Sequence, residues 1–325
     1  MSALLSARKE RGKMKKDIKE KRLEEHNDVF ADIFNILLFD GNSILEEENL
    51  TSLPTESYVR EVDGEIHEEH RDVRKVDKDN HEYRLLCGIE NQTGVDNTMP
   101  ERVMGYDYAA YEFQIKEIMK ANKNKKKHAF TKRIHDNQRL APVVTAVLHW
   151  GDKDWDGPLR LHDMLEFSQE TAEVIRPLVP DYPINLVEVR NIPKEIREKL
   201  KSDFRLIAEY AARRQDPEQL EELMSDKVHT IKHPEEFLDL LSEVTNDKRY
   251  KNAKEKLLKK EENVTMCVIA EKLEKRGIEQ GIERGLNLVS ELTLKLNEDG
   301  RLNDLVKAAM DSEYQHKLLR EYNLY

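Results

Sequence analysis

A chain of 325 residues with 38% apolar and 37% charged side chains is long enough for one large domain, or a domain with an appendage, and apolar enough to bury a core. Wholesale disorder is excluded, and so is a membrane-spanning helix. The longest unbroken apolar runs, such as Ile36–Phe39 and Ala146–Leu148, fall far short of the roughly 20 residues a bilayer requires. The net charge of −11 argues against a protein that coats nucleic acid over its whole surface. Two cysteines, Cys87 and Cys267, supply neither a disulfide framework nor a thiolate metal site. The charged N-terminus carries no apolar segment of the kind that directs export, so a cytoplasmic location is expected.

From Arg8 to Arg22 nine basic residues stand among three acids, which predicts a basic arm, frayed or disordered, over residues 1–24. Val29, Phe30, Ile33, Phe34, Leu37 and Leu38 then recur at helical spacing, and Asp40-Gly41 ends the helix. Residues 42–69 read as an acidic connection. His70–Val76 and Tyr83–Thr93 read as two antiparallel strands joined by a turn at Asp77–Asn80. Pro100 opens a helix that runs to about Asn122. It dissolves into a patch between Lys120 and Arg133 that holds seven basic residues and no acid, among them Lys123, Lys125, Lys126, Lys127, Lys132 and Arg133.

Pro142–Trp150 is rich in β-branched residues and reads as a buried strand, followed by a helix near Leu161–Phe167 and a strand at Ile184–Val189. Beyond Glu195 only helices remain. Gly277, Gly281 and Gly285 fall on one face of the last long one, either as a surface for close approach of a second helix or as a tolerated charged repeat. The element order predicts an α/β core with a mixed central sheet over 25–195 and a helical C-terminal region over 196–325.

Alternation along the second strand puts Glu90 and Gln92 on one face, and an antiparallel partner brings Asp72 alongside Glu90. Two carboxylates that close repel unless a cation lies between them, and Mg²⁺ is the natural occupant. The apolar run Leu85–Ile89 ends abruptly in Glu-Asn-Gln, and α/β proteins place their sites at such strand tips. The bland reading pairs Asp72 with Arg71 or Arg74. His67 and His70 form an H-x-x-H in an acidic, turn-rich segment and are read as solvated, and His149 as a core or rim residue.

The helix HNDVFADIFNILLFDG, the strand tip IENQ, the helix MPERVMGYDYAAYE, the strand VLHWG and the segment WDGP-x-x-LHDMLEF, in that order, resemble the recombination-promoting nuclease, or transposase-like, family of the PD-(D/E)XK nuclease superfamily. The resemblance implies a restriction-endonuclease-like core and Mg²⁺-dependent (or Mn²⁺-dependent) cleavage of DNA, with Asp72 and Glu90 as metal ligands. Gln92 stands where the superfamily usually has a lysine and is assigned to orient the nucleophile. Asp28 or Asp32 supplies the acid expected from the first helix, and Arg102 and Tyr106, four apart, support the site and the scissile phosphate. DNA is the implied partner, reached through the two basic segments. The glycine spacing of the last long helix, rather than the resemblance, adds the expectation of a homo-oligomer through the C-terminal helices, and no membrane partner is expected. The alternative is a catalytically weak or inactive nuclease-fold protein that binds DNA or assembles, having lost the lysine. No phosphate-binding glycine loop or serine-nucleophile motif is present.

Overall fold

A computed structural model describes residues 23–53, 57–62, 65–70, 72–79, 82–124, 134–245, 247–257 and 263–324; of some of these, 57–62 and 65–70 among them, it describes the backbone alone. The basic arm 8–22 and the basic residues 125–133 lie outside this description, and the side chain of Lys123 does too.

Helix α1 (Asn27–Asp32) passes directly into a π-helical turn, Ile33–Leu38. Val29, Phe30, Ile33 and Phe34 are fully buried, each contributing about 1.5–3 kcal/mol. Asp40 (φ 53°) and Gly41 (φ 82°) stop it by turning left-handed, a conformation that suits glycine best.

The central sheet has the order β1 (Leu50–Ser52), β4 (Val73–Asp79), β5 (Glu82–Gln92), β6 (Val143–His149), β7 (Asn185–Glu188). The β1/β4 and β4/β5 pairs are antiparallel, whereas β5/β6 and β6/β7 are parallel. A separate hairpin is formed by β2 (Ser57–Val62) and β3 (Glu65–His70). This is the mixed sheet expected of an α/β nuclease-like fold.

Two expected boundaries move. His70 ends β3 rather than opening β4, and β4 continues through Asp77 to Asp79, where a turn was expected. Asp77 stays in the strand because its buried carboxylate pairs with Arg84 at 3.5 Å, and the ladder takes up a register shift between Asp77 and Lys78. Charged residues inside a strand therefore imitated a turn. The acidic connection 42–69 contains β1, β2 and β3, and the helix expected at Leu161–Phe167 is a single 3₁₀ turn, Leu161–Met164.

Helix α2 (Met99–Asn124), about 39 Å long, covers one face of the sheet. Met99 and Val103 pack with Val147 and Ile184, and Ala110 packs with Val76 and Leu86. On the opposite face, Lys75 lies over the ring of Phe30 in α1. Both faces are covered, which is why β5 is apolar in both directions from Leu85 to Ile89, before its last three residues.

The C-terminal half carries α3 (Phe204–Arg213), α4 (Pro217–Met224), α5 (Pro234–Thr245), α6 (Lys248–Leu257), α7 (Met266–Glu298), α8 (Leu302–Met310) and α9 (Ser312–Glu321). The chain forms two compact units. The first comprises the described residues up to Leu223 together with Thr230–Val264, so α3, α5 and α6 belong to the sheet-bearing body. The second comprises Met224–His229 and the residues from Thr265 on, where Leu292, Leu296, Ala308, Leu318 and Leu319 form a small core. No helix among the described residues is long and apolar enough to cross a membrane.

Candidate active site

Strand β5 supplies the centre of the site. Leu85, Leu86, Cys87 and Ile89 are buried, and Glu90, Asn91 and Gln92 remain buried at the strand tip despite their polarity. Leu86 faces α2, so Glu90 and Gln92, two and three pleats on, face α2 as well, while Asn91 points to the other side. Asp72 immediately precedes β4. The pairing of Val73 with Ile89 carries it level with Glu90, and its Oδ2 accepts a hydrogen bond from the Asn91 N–H at 2.7 Å. The two acids of the sequence pattern are therefore brought to adjacent strand ends.

Opposite them, α2 presents Arg102. Its Nη2 donates to Glu90 Oε1 at 2.6 Å and to Tyr106 Oη at 2.9 Å, and its Nη1 donates to Asp96 Oδ2 at 2.7 Å. Gln92 Nε2 donates to the same Glu90 oxygen at 3.0 Å. Asp96 also accepts from the Thr98 N–H (2.8 Å) and Oγ1 (2.7 Å), which shapes the turn into α2. Burial disfavours the Arg102 cation, yet Glu90, Tyr106 and Asp96 outweigh it and hold the guanidinium above its ordinary pKa. Burial likewise acts to raise the Asp96 carboxyl, but the Thr98 donors and Arg102 hold it below 3.8.

On the far face, Asn91 is clamped at both ends of its amide. Nδ2 donates to Glu24 Oε2 at 2.9 Å, and Oδ1 accepts from Trp150 Nε1 at 2.8 Å. The acid that reaches the strand tip from the first helical region is Glu24, not Asp28 or Asp32. Asp28 is engaged by His233 Nε2 (2.9 Å) and Lys232 Nζ (3.2 Å), and Asp32 accepts the backbone N–H groups of Lys201 and Ser202. Their spacing on one helix face was legible, but the partners of that face come from the start of α5 and the segment before α3, about 170–200 residues away in sequence.

His149 ends β6 directly beside Gln92 in the parallel register. It is 3% exposed, its Nδ1 lies 3.7 Å from Glu188, and its ring meets Trp155 edge to face. Burial lowers its pKa, with Glu188 opposing; of the core and rim settings expected for this histidine, it takes the buried one. The Trp150 N–H donates to the Gln92 carbonyl at 2.8 Å and ties the two strand tips together. Asn91, Asp96, Glu24 and Trp150 carried no role in the sequence. The one local signal was Asp96-Asn97-Thr98 before a helix, a capping pattern.

The side chains of His67 and His70 lie outside the described residues. Among the described residues no cluster of three or more His, Cys, Asp or Glu could hold a metal. A Mg²⁺ ion does not require one, since one or two carboxylates with waters and substrate phosphate suffice. The donor chemistry of Asp72 and Glu90 fits such an ion. Arg102 shares the site, occupying Glu90 Oε1.

The mixed five-stranded sheet with flanking helices, followed by C-terminal helices, is that of an α/β nuclease-like fold. Residues 42–237 match the family model described as "Putative transposase, YhgA-like", and the chain belongs to that family, which is PD-(D/E)XK nuclease-like. No curated protein and no solved structure is significantly similar to the chain.

Proposed function

We propose that the protein is a metal-dependent endodeoxyribonuclease that hydrolyses DNA phosphodiester bonds and promotes recombination. The observation that carries this reading is the meeting of Asp72 and Glu90 at adjacent strand tips, with Arg102 fixed beside Glu90, in a chain of a transposase family. Asp72 and Glu90 would hold Mg²⁺ or Mn²⁺, which supplies charge neutralisation at the phosphate and acidifies a water. Gln92 positions the attacking water through its carboxamide while tied to Glu90. Arg102 faces the scissile phosphate, and Tyr106 and Asp96 keep the guanidinium oriented. Asn91 holds the Asp72 carboxylate through its N–H, and Glu24 and Trp150 immobilise Asn91 in turn. The arm 8–22 and the residues Lys123, Lys125, Lys126, Lys127, Lys132 and Arg133 follow the DNA backbone as charge.

The test is incubation of supercoiled plasmid with the protein and Mg²⁺ or Mn²⁺, beside Asp72→Ala and Glu90→Gln. Nicked or linear product that disappears in both variants is expected, and cleavage that persists in both removes these residues from the site. A second reading is favoured by the 2.6 Å pairing of Glu90 with Arg102 and by glutamine at position 92. It is a protein that binds DNA without cutting it, and DNA retention with no cleavage by the unaltered protein in either metal would establish it.

A further inference from the structure

The middle of α7 is exposed on every side from Gly277 to Asn287. Ile278, Ile282 and Leu286 are 58%, 60% and 64% exposed, and Val289 is 44% exposed. At both ends the same helix is anchored, by Met266 and Ile269 and by Leu292 and Leu296, all buried. Three turns of helix rich in glycine and carrying a bare apolar ridge are poorly stable alone, because helices of this kind depend on packing of an apolar face.

At 3.6 residues per turn, Ile278, Ile282, Leu286 and Val289 fall within an arc of about 80°. Gly277, Gly281 and Gly285 occupy the adjoining arc, and a Cβ built at any of the three meets nothing within 4 Å. A ridge therefore runs beside an open groove. Glu279 borders the ridge on its outer side, and Arg284 borders the groove on its own.

From these observations we infer that this face binds a second copy of the chain, α7 lying parallel to its counterpart about a two-fold axis. In a parallel pair each helix turns its ridge side toward its partner's groove side, so Ile278, Ile282 and Leu286 enter the space above the partner's glycines. The same rotation brings the Glu279 edge of each copy to the Arg284 edge of the other, twice. An antiparallel two-fold instead sets ridge against ridge and like-charged edges together. Both the shape and the charge thus select a parallel copy of this helix as the occupant. The inference does not rest on the nuclease reading.

Light scattering of the full chain, expected at twice 38.2 kDa, tests it. Ile282→Glu and Gly281→Leu, one burying a charge and the other filling the groove, each reduce the mass to 38.2 kDa with helix content kept by circular dichroism. Arg284→Glu weakens the dimer, and adding Glu279→Arg restores it. In a Cys267→Ser background, Ile278→Cys crosslinks to itself on oxidation. A monomeric unaltered protein, dimers that survive both Ile282→Glu and Gly281→Leu, or a dimer in which Ile278→Cys does not crosslink would overturn the proposal.

Discussion

Arg102 binds three partners in the site at once, Glu90, Asp96 and Tyr106. Truncating one member of a buried ion pair leaves the other charge without compensation, so Arg102→Ala should lower stability by about 3 kcal/mol, measured by urea unfolding. Arg102→Lys keeps the charge but not the three-way fork, and is expected to recover only part of that loss. Asp96 gives a pH signature. Its folded-state pKa is held below the ordinary 3.8, so the unfolded chain takes up the proton more readily than the folded one. The stability this contributes is complete above that value and is lost as pH falls through the lowered one. Asp96→Asn should therefore flatten the acid limb of the stability curve below about pH 4, read from urea midpoints over a pH series; a limb parallel to the unaltered protein's would refute the assignment. Neither group's role was legible beforehand in full. Arg102 and Tyr106 announced themselves by their spacing of four, but Asp96 joins them only because the turn into α2 folds back on the helix.

The strand tips are the elements on which the site depends. β5 and β6 run parallel and end together, with the Trp150 N–H on the Gln92 carbonyl and His149 level with Gln92. Gly151 makes this closeness feasible. A Cβ there would lie 2.4 Å from His149 Nε2 and 3.2 Å from the Thr93 carbonyl oxygen, so the buried imidazole would have to move. Gly151→Ala is expected to cost about 1–3 kcal/mol and, by displacing His149 from beside Gln92, to lower plasmid cleavage. An unchanged melting midpoint would show that the ring accommodates the methyl. The apolar run of β5 and its abrupt polar end were readable because the pleat repeats every two residues. The partner of that end was readable only in part, since the β4 boundary depends on Asp77 finding Arg84 across the ladder.

Across the whole molecule, the net charge of −11 coexists with two basic segments, 8–22 and 120–133. If these segments carry DNA, substituting Lys125, Lys126 and Lys127 together by alanine should weaken binding to every sequence alike. It should also make the salt dependence shallower by about 0.9 in log–log slope for each phosphate contact removed; binding titrations at several salt concentrations measure this, and an unchanged slope would exclude the patch. Composition and periodicity by themselves determined the class, an α/β core with helices after it, and local alternation set Asp72 level with Glu90; the reading of that pair as a site came from the family resemblance of motifs read in order. The tertiary structure alone decided which acid of the first helical region reaches the strand tip. Glu24 meets Asn91 across 67 residues of sequence, while Asp28 and Asp32 turn to partners from 169 to 205 residues away. Helical spacing says which side chains share a face, but what that face meets is set by how distant segments pack.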